Sequence, residues 1–193
     1  MKTRDSGMPM ASQWEGYFDP QGIFAVLGLA IPEETLVDIG CGYGTFTMAA
    51  ARCGWRRVIA IDIDPVSVQT LQARLLGESA GGAEVRQRDV VADGFGLPSS
   101  DADAVLLFNI LHCEDPLAML AETRRVLRPG GRVAIIHWRS DIPTPRGPAA
   151  AIRPRPENCR EWLEKTGFEI ALEATSLPPY HFGLVGRRPA SAG

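Results

Sequence analysis

Short apolar runs alternate along this chain with segments of helical periodicity. Thr35 to Ile39 is an apolar run of strand length, and Thr45 to Arg52 follows it as a helix. Arg57 to Asp62 is a second apolar run, closed by an acid. Pro65 suits the first position of a helix capped by Asp64, and that helix runs to about Leu76, where Gly77 stops it. Ala83 to Gln87 is a weaker third strand. Asp103 to Phe108, apolar on both faces, is a fourth. Leu117, Leu120, Val126 and Leu127 recur at helical spacing over Pro116 to Leu127, before Pro129-Gly130-Gly131 breaks the pattern. Arg132 to Trp138 is a fifth strand, and Pro156 to Thr166 a helix ended by Gly167. Phe168 to Thr175 and Tyr180 to Arg187 read as two closing strands.

Strands alternating with helices predict βαβ units and a mostly parallel sheet. The two closing strands have only Ser176 to Pro179 between them, and so short a connection requires an antiparallel pair. The expected class is α/β, a doubly wound Rossmann-like sheet with helices on both faces. The 193 residues suit one domain. It divides into an N-terminal arm (1–30), a core (35–138), a Pro- and Arg-rich connector (139–155) and a closing helix with its strand pair (156–188).

Composition narrows the classes. Hydrophobic residues at 45% and charged residues at 22% are ordinary for a globular chain and argue against disorder. A net charge of −3 gives no bulk attraction to nucleic acid. Lys2 and Lys165 are the only lysines beside 18 arginines, a bias attributable to genome composition. Cys41, Cys53, Cys113 and Cys159 stand far apart without C-x-x-C spacing, so neither a zinc ribbon nor a redox pair is expected, and no metal. Residues 1–18 lack the apolar stretch of a signal peptide, and the longest apolar run is too short to span a bilayer. These features predict a cytoplasmic protein with reduced thiols that engages neither membrane nor nucleic acid.

The chemistry concentrates at Val37-Asp-Ile-Gly-Cys-Gly-Tyr-Gly-Thr45. Glycines at alternate positions between a strand and a helix let the chain turn sharply and a ligand approach the backbone. The helix N-terminus beyond favours an anionic group. Asp62 closes the second strand 22 residues after Gly40, where an acid can accept from ribose hydroxyls. A dinucleotide fingerprint would need a third small residue where Thr45 stands, which disfavours a nicotinamide oxidoreductase.

Five segments together resemble the class I S-adenosylmethionine-dependent methyltransferases. They are the glycine turn; Ala60-Ile-Asp-Ile-Asp-Pro65; Arg88-Asp-Val90 leading to Leu97-Pro98; Asp103 to His112; and Leu127-Arg-Pro-Gly-Gly-Arg-Val133. The resemblance implies a seven-stranded sheet with its last strand antiparallel. It implies S-adenosylmethionine as cofactor, with Gly40, Cys41, Gly42 and Gly44 under the methionine portion and Asp38 near its amino group. Asp62 would take the ribose, Ile63 the adenine face, and Asp89 with the backbone of Val90 the adenine edge. Asn109 would meet the methionine end.

Methyl transfer is an in-line displacement that proximity and orientation accelerate, with a base needed only for a protonated acceptor. His112 after the fourth strand and His137 at the end of the fifth are the candidate catalytic groups; His181 is expected to be structural. Trp14, Tyr17 and Phe18 in the arm are candidate acceptor-site residues that would exclude water. Arg139 and Arg146 are candidates for an anionic acceptor, in a connector holding four arginines against Asp141. The connector is too short for a separate substrate domain, so a small-molecule acceptor is expected. Two alternatives stay open: a non-catalytic cofactor-binding sensor or partner protein, and a protein or RNA methyltransferase.

Overall fold

The computed structural model describes residues 14–78 and 82–190. Its strands are β1 (Thr35–Ile39), β2 (Arg57–Asp62), β3 (Ala83–Gln87), β4 (Ala102–Phe108), β5 (Leu127–Trp138), β6 (Glu169–Leu177) and β7 (His181–Arg187). Its helices are α1 (Pro20–Val26), α2 (Thr45–Cys53), α3 (Pro65–Gly77), α4 (Val90–Asp93), α5 (Pro116–Val126) and α6 (Pro156–Lys165), with a 3₁₀ turn at Ala150–Ile152. One seven-stranded sheet results, in the order β3-β2-β1-β4-β5-β7-β6. β7 alone is antiparallel, pairing with β5 on one side and β6 on the other. This is the doubly wound α/β sheet with an antiparallel closing strand that the sequence predicts.

The strands sort their side chains by the two-residue period. Val37, Ile39, Val105, Leu107, Val133 and Ile135 face one core with residues of α5 and α6. Leu36, Ala104, Leu106, Ala134 and Ile136 face a second core holding Phe24 of α1 and Phe46 of α2. β1 and β4, buried on both faces, lie side by side at the centre. The chain winds outward from β1 through β2 to β3, then crosses back to β4. That reversal opens a crevice between the C-terminal ends of β1 and β4, the ligand position of open α/β sheets.

Three local features differ from expectation. α1 lies in the arm; Asp19 caps it by accepting from the Gly22 amide at 3.1 Å, with Pro20 in its first turn. The four-residue α4 is capped by Asp89. β5 begins at Leu127, because Pro129-Gly130-Gly131 is absorbed within the strand: Leu127 pairs with Ala102 and Arg132 with Ala104, and the register shifts between them. Residues 1–13 of the predicted arm lie outside the described residues.

Candidate active site

The glycine turn joins β1 to α2 with Gly40, Gly42 and Gly44 all at positive φ, a region closed to most side chains. A Cβ on Gly44 would lie 2.1 Å from Leu71 Cδ1, and one on Gly40 2.9 Å from Ile110 Cδ1. The turn is therefore packed between α3 and the chain leaving β4. Its amides are largely spent inside the protein: Gly40 and Cys41 donate to the Ile61 carbonyl, Gly42 to Asp62 and Gly44 to the Cys41 carbonyl. The turn thus contributes close approach at these positions rather than free donors.

Two carboxylates flank it. Asp38, 2% exposed, accepts a 2.6 Å hydrogen bond from Thr47 Oγ1. Burial pushes its pKa up to about 6, the nearby Asp62 charge adding to the effect. Asp62 accepts from the Gly42 amide at 2.7 Å and the Asp64 amide at 2.9 Å. Burial raises its pKa too, against the lowering by those two donors. Asp64 is the cap of α3, accepting from the Val66 and Ser67 amides, as its place before Pro65 predicts. Burial drives the Cys41 thiol well above its usual range, with Asp38 and Asp62 pushing the same way.

Asn109 leaves β4 at φ 58, and both its side-chain Oδ1 and Nδ2 are buried without a partner. The Thr45 hydroxyl, at the start of α2, is buried and unpaired as well. Buried polar atoms nearly always find partners, so such orphans mark strain, an ordered water or an external ligand. The sequence singles out Asn109; Thr45 enters it only as a departure from the dinucleotide pattern, and its unpaired hydroxyl is visible only in three dimensions. Ile63 is 40% exposed, beside Asp62, where an apolar face remains open. Asp89 accepts from the Val91 and Ala92 amides, both at 3.1 Å, and Val90 packs half-buried against the larger core.

The arm lies across this end of the sheet. Trp14 and Phe18 rings sit 5.0 Å apart; Tyr17 meets Trp138 at 5.7 Å and Phe18 meets Phe46 at 5.2 Å. Arg74 of α3 donates both to Glu15 in the arm, at 2.7 Å, and to the Tyr43 carbonyl in the glycine turn, at 2.8 Å. That guanidinium fastens arm to turn. Phe18 and Trp138 both pack on His181, at 4.5 and 4.1 Å between ring centroids; it is 1% exposed, with Nε2 unpaired and burial holding its pKa down to about 3.

The two candidate catalytic histidines touch: His112 Nδ1 lies 3.3 Å from His137 Nε2. His137 is fully buried, which corrects its expected place at the open edge. β5 alternation puts it on the face of Val133 and Ile135, where its Nε2 meets His112. Burial lowers its pKa to about 3 and lowers that of half-buried His112.

Two of the connector arginines, Arg139 and Arg153, are engaged within the protein. Arg139 forks onto Asp141 at 3.0 and 2.6 Å. Arg153 donates to the carbonyls of Pro148, Arg139 and Arg146 and stands 5.9 Å over the Trp138 ring. The Arg146 carbonyl also accepts from Thr144. A groove of about 670 Å³ opens here, lined among others by Arg139, Asp141, Arg155, Glu157, Thr175 and Phe182. Its mixed charges do not single out an anion.

A family model described as a methyltransferase domain matches residues 37–135. Over 108 residues the chain is 33% identical to the ribosomal protein L11 methyltransferase of Burkholderia mallei, a match covering 54% of this chain and 32% of that protein. Over 112 residues it is 40% identical to an uncharacterised 37.1 kDa transposon protein of Streptomyces fradiae, covering 55% and 30%. The match thus spans about a third of the length of these curated relatives. A crystal structure of an S-adenosylmethionine-dependent methyltransferase from Aquifex aeolicus superposes with a TM-score of 0.79 at 23% identity, over 92% of this chain and 93% of that one. At that identity the likeness speaks for the fold.

Proposed function

The chain belongs to the methyltransferase-domain family, and from that premise we propose that it transfers a methyl group from S-adenosylmethionine to a small-molecule acceptor. The carrying observation is the Asn109 amide, buried and unpaired where the chain leaves β4, next to Ile110, which packs on Gly40 of the glycine turn. S-adenosylmethionine supplies an activated methyl on a sulfonium, beside an ammonium, a carboxylate, ribose hydroxyls and an adenine.

The residues fit those groups. Asp38, whose carboxyl is raised by burial, gains most from a cation and would face the ammonium. The first turn of α2, with the Thr45 hydroxyl, would take the carboxylate. Asp62 keeps lone pairs beyond its two amide donors for ribose hydroxyls. Ile63 would cover one adenine face, and Asp89 with the Val90 backbone its edge. Asn109 would complete its hydrogen bonds at the methionine end. Trp14, Tyr17 and Phe18 would keep water from the reacting atoms. Arg139 is already paired with Asp141, which moves an anionic acceptor down among the choices. Four free cysteines suit a reducing, cytoplasmic compartment.

Calorimetric titration with S-adenosylmethionine and S-adenosylhomocysteine tests the reading. Micromolar binding of both is expected, weakened by about 1–3 kcal/mol in Asp62→Ala, because ribose hydroxyls lose a charged partner. A folded protein that binds neither ligand overturns it. A protein acceptor is the second reading, supported by the match to the ribosomal protein L11 methyltransferase. Methylation of purified L11, set beside a panel of small acceptors, decides between the two.

A further inference from the structure

The His112–His137 contact has a direction. His137 Nδ1 lies 3.4 Å from the Trp138 carbonyl oxygen, which can only accept, so Nδ1 carries the proton. His137 Nε2 is then left with its lone pair, facing His112 Nδ1 at 3.3 Å. His112 Nδ1 must donate, and His112 Nε2 is the bare nitrogen at the end of the chain of bonds. That nitrogen has no protein partner among the described residues and is not one of the buried unpaired atoms. His112 sits in the segment that leaves β4 through Asn109 and Ile110, and Ile110 packs on Gly40. The bare nitrogen and the orphaned Asn109 amide thus belong to the same short segment at the C-terminal end of β4, where open α/β sheets bind ligands.

We propose that His112 Nε2 is the general base of the methyl transfer, that His137 is a positioning residue fixing its tautomer, and that the acceptor is therefore a protic nucleophile. The proposal rests on the methyl-transfer reading above and deepens it. A phenol, an alcohol or an ammonium must lose a proton as it is methylated; a carboxylate or thioether need not. The acceptor's X–H bond breaks and its proton bonds to the Nε2 lone pair, passing to water afterwards. The donated methyl takes the proton's place on X, while the carbon–sulfur electron pair stays on sulfur, so no oxidant or reductant is needed. His137 assists by staying neutral. Burial disfavours its charge, so it remains an acceptor and strengthens its bond as His112 becomes cationic. Burial likewise keeps His112 unprotonated at neutral pH, in the form a base requires.

The tautomers can be read without any acceptor, from long-range proton–nitrogen correlations in protein labelled with ¹⁵N-histidine. The chain has three histidines, so single substitutions assign every signal. His112 should show a protonated Nδ1 and a bare Nε2. His137→Leu should release it to a mixture, and His137→Gln, which restores an acceptor oxygen, should return the single tautomer. A wild-type His112 protonated at Nε2, or an unchanged signal in His137→Leu, overturns the relay. Catechol, phenylethylamine and benzoate then serve as acceptor probes with S-adenosylmethionine. Catechol or the amine should be methylated, and His112→Gln should lower kcat by roughly 10²–10⁴-fold with cofactor Kd unchanged. Methylation of benzoate alone, or His112→Gln matching wild type, overturns the base; if no probe is methylated, the tautomers decide. Failure of S-adenosylmethionine to bind is seen separately by titration and strikes the underlying reading rather than the relay.

Discussion

At the β1/β4 crevice, Asn109 and Thr45 keep buried polar atoms unpaired, and Asp38 is held by burial above its usual range. In the connector between β5 and α6, two arginines are spent: Arg139 on Asp141, and Arg153 on three backbone carbonyls. Both regions lie at the same edge of the sheet, and both carry the charged residues that suggest a site. A buried donor or acceptor without a partner costs roughly 1–3 kcal/mol, a cost a bound ligand would remove. A satisfied guanidinium would have to give up its partners first. The crevice thus keeps polar atoms open to a ligand, whereas Arg139 and Arg153 of the connector are already engaged.

The glycine turn gives the harshest way to break the crevice. Gly44→Val places a branched side chain at φ 82, with its Cβ 2.1 Å from Leu71 Cδ1. The left-handed conformation alone costs of order 1–3 kcal/mol for a side chain that shuns it, and the overlap adds to that. Thermal unfolding should show a drop in Tm of many degrees, and titration should show no cofactor binding. A variant with wild-type Tm and affinity would mean that the turn is not packed against α3.

How much of this was readable in advance varies by residue. β1 and β2 matched their apolar runs because buried parallel strands are written as continuous apolar residues, whereas β3, half-exposed at the sheet edge, carries the weaker signal of Ala83 to Gln87. α4, four residues long, has no periodicity to read, and its cap Asp89 resembles a loop acid. The onset of β5 was missed because Pro129-Gly130-Gly131 signals a break, whereas here the irregularity sits inside a ladder. Asp62 was marked out by its place at the end of β2, 22 residues after Gly40, and Asp38 and Asn109 by the methyltransferase resemblance. That the Asn109 amide is unpaired depends on burial, which one dimension does not hold. The burial of His137 was legible: it continues the Val133, Ile135 alternation. The pairing of Arg139 was less so, since counting charges does not say that Asp141 turns back onto its neighbour two residues away.

A matched pair of substitutions sharpens the contrast between the two regions. Asn109→Gly keeps the positive φ available and removes the unpaired amide. Tm should hold or rise, while cofactor affinity falls by about 1–3 kcal/mol, roughly 5- to 150-fold. Arg153→Ala should do the reverse. The Pro148 and Arg139 carbonyls lose the Arg153 donor and the Arg146 carbonyl keeps only Thr144, so stability falls by about 1–3 kcal/mol while cofactor affinity stays at the wild-type value. If Asn109→Gly were destabilising with affinity intact, the crevice and connector would be the same kind of structure.

The gentlest probe is pH. The Asp38 carboxyl titrates at about 6 in the free protein, because burial penalises its charge. A cationic ammonium held beside it favours the ionised form, so its pKa in the complex must lie below about 6. Binding is then strongest above that value, where Asp38 is already ionised. Between the two pKa values binding expels a proton, and affinity falls by as much as about 1.4 kcal/mol, or tenfold, per pH unit as the medium is made more acidic. Asp62, raised in the same direction, steepens the fall if its charge is also needed in the complex. Titrations at pH 7.5 and 5.0 should show this loss. At pH 5.0 the apparent enthalpy should vary with the ionisation heat of the buffer, which counts the protons released. Asp38→Asn should flatten the dependence. An affinity independent of pH in the wild type would take Asp38 away from the ligand and leave its raised pKa as a consequence of burial alone.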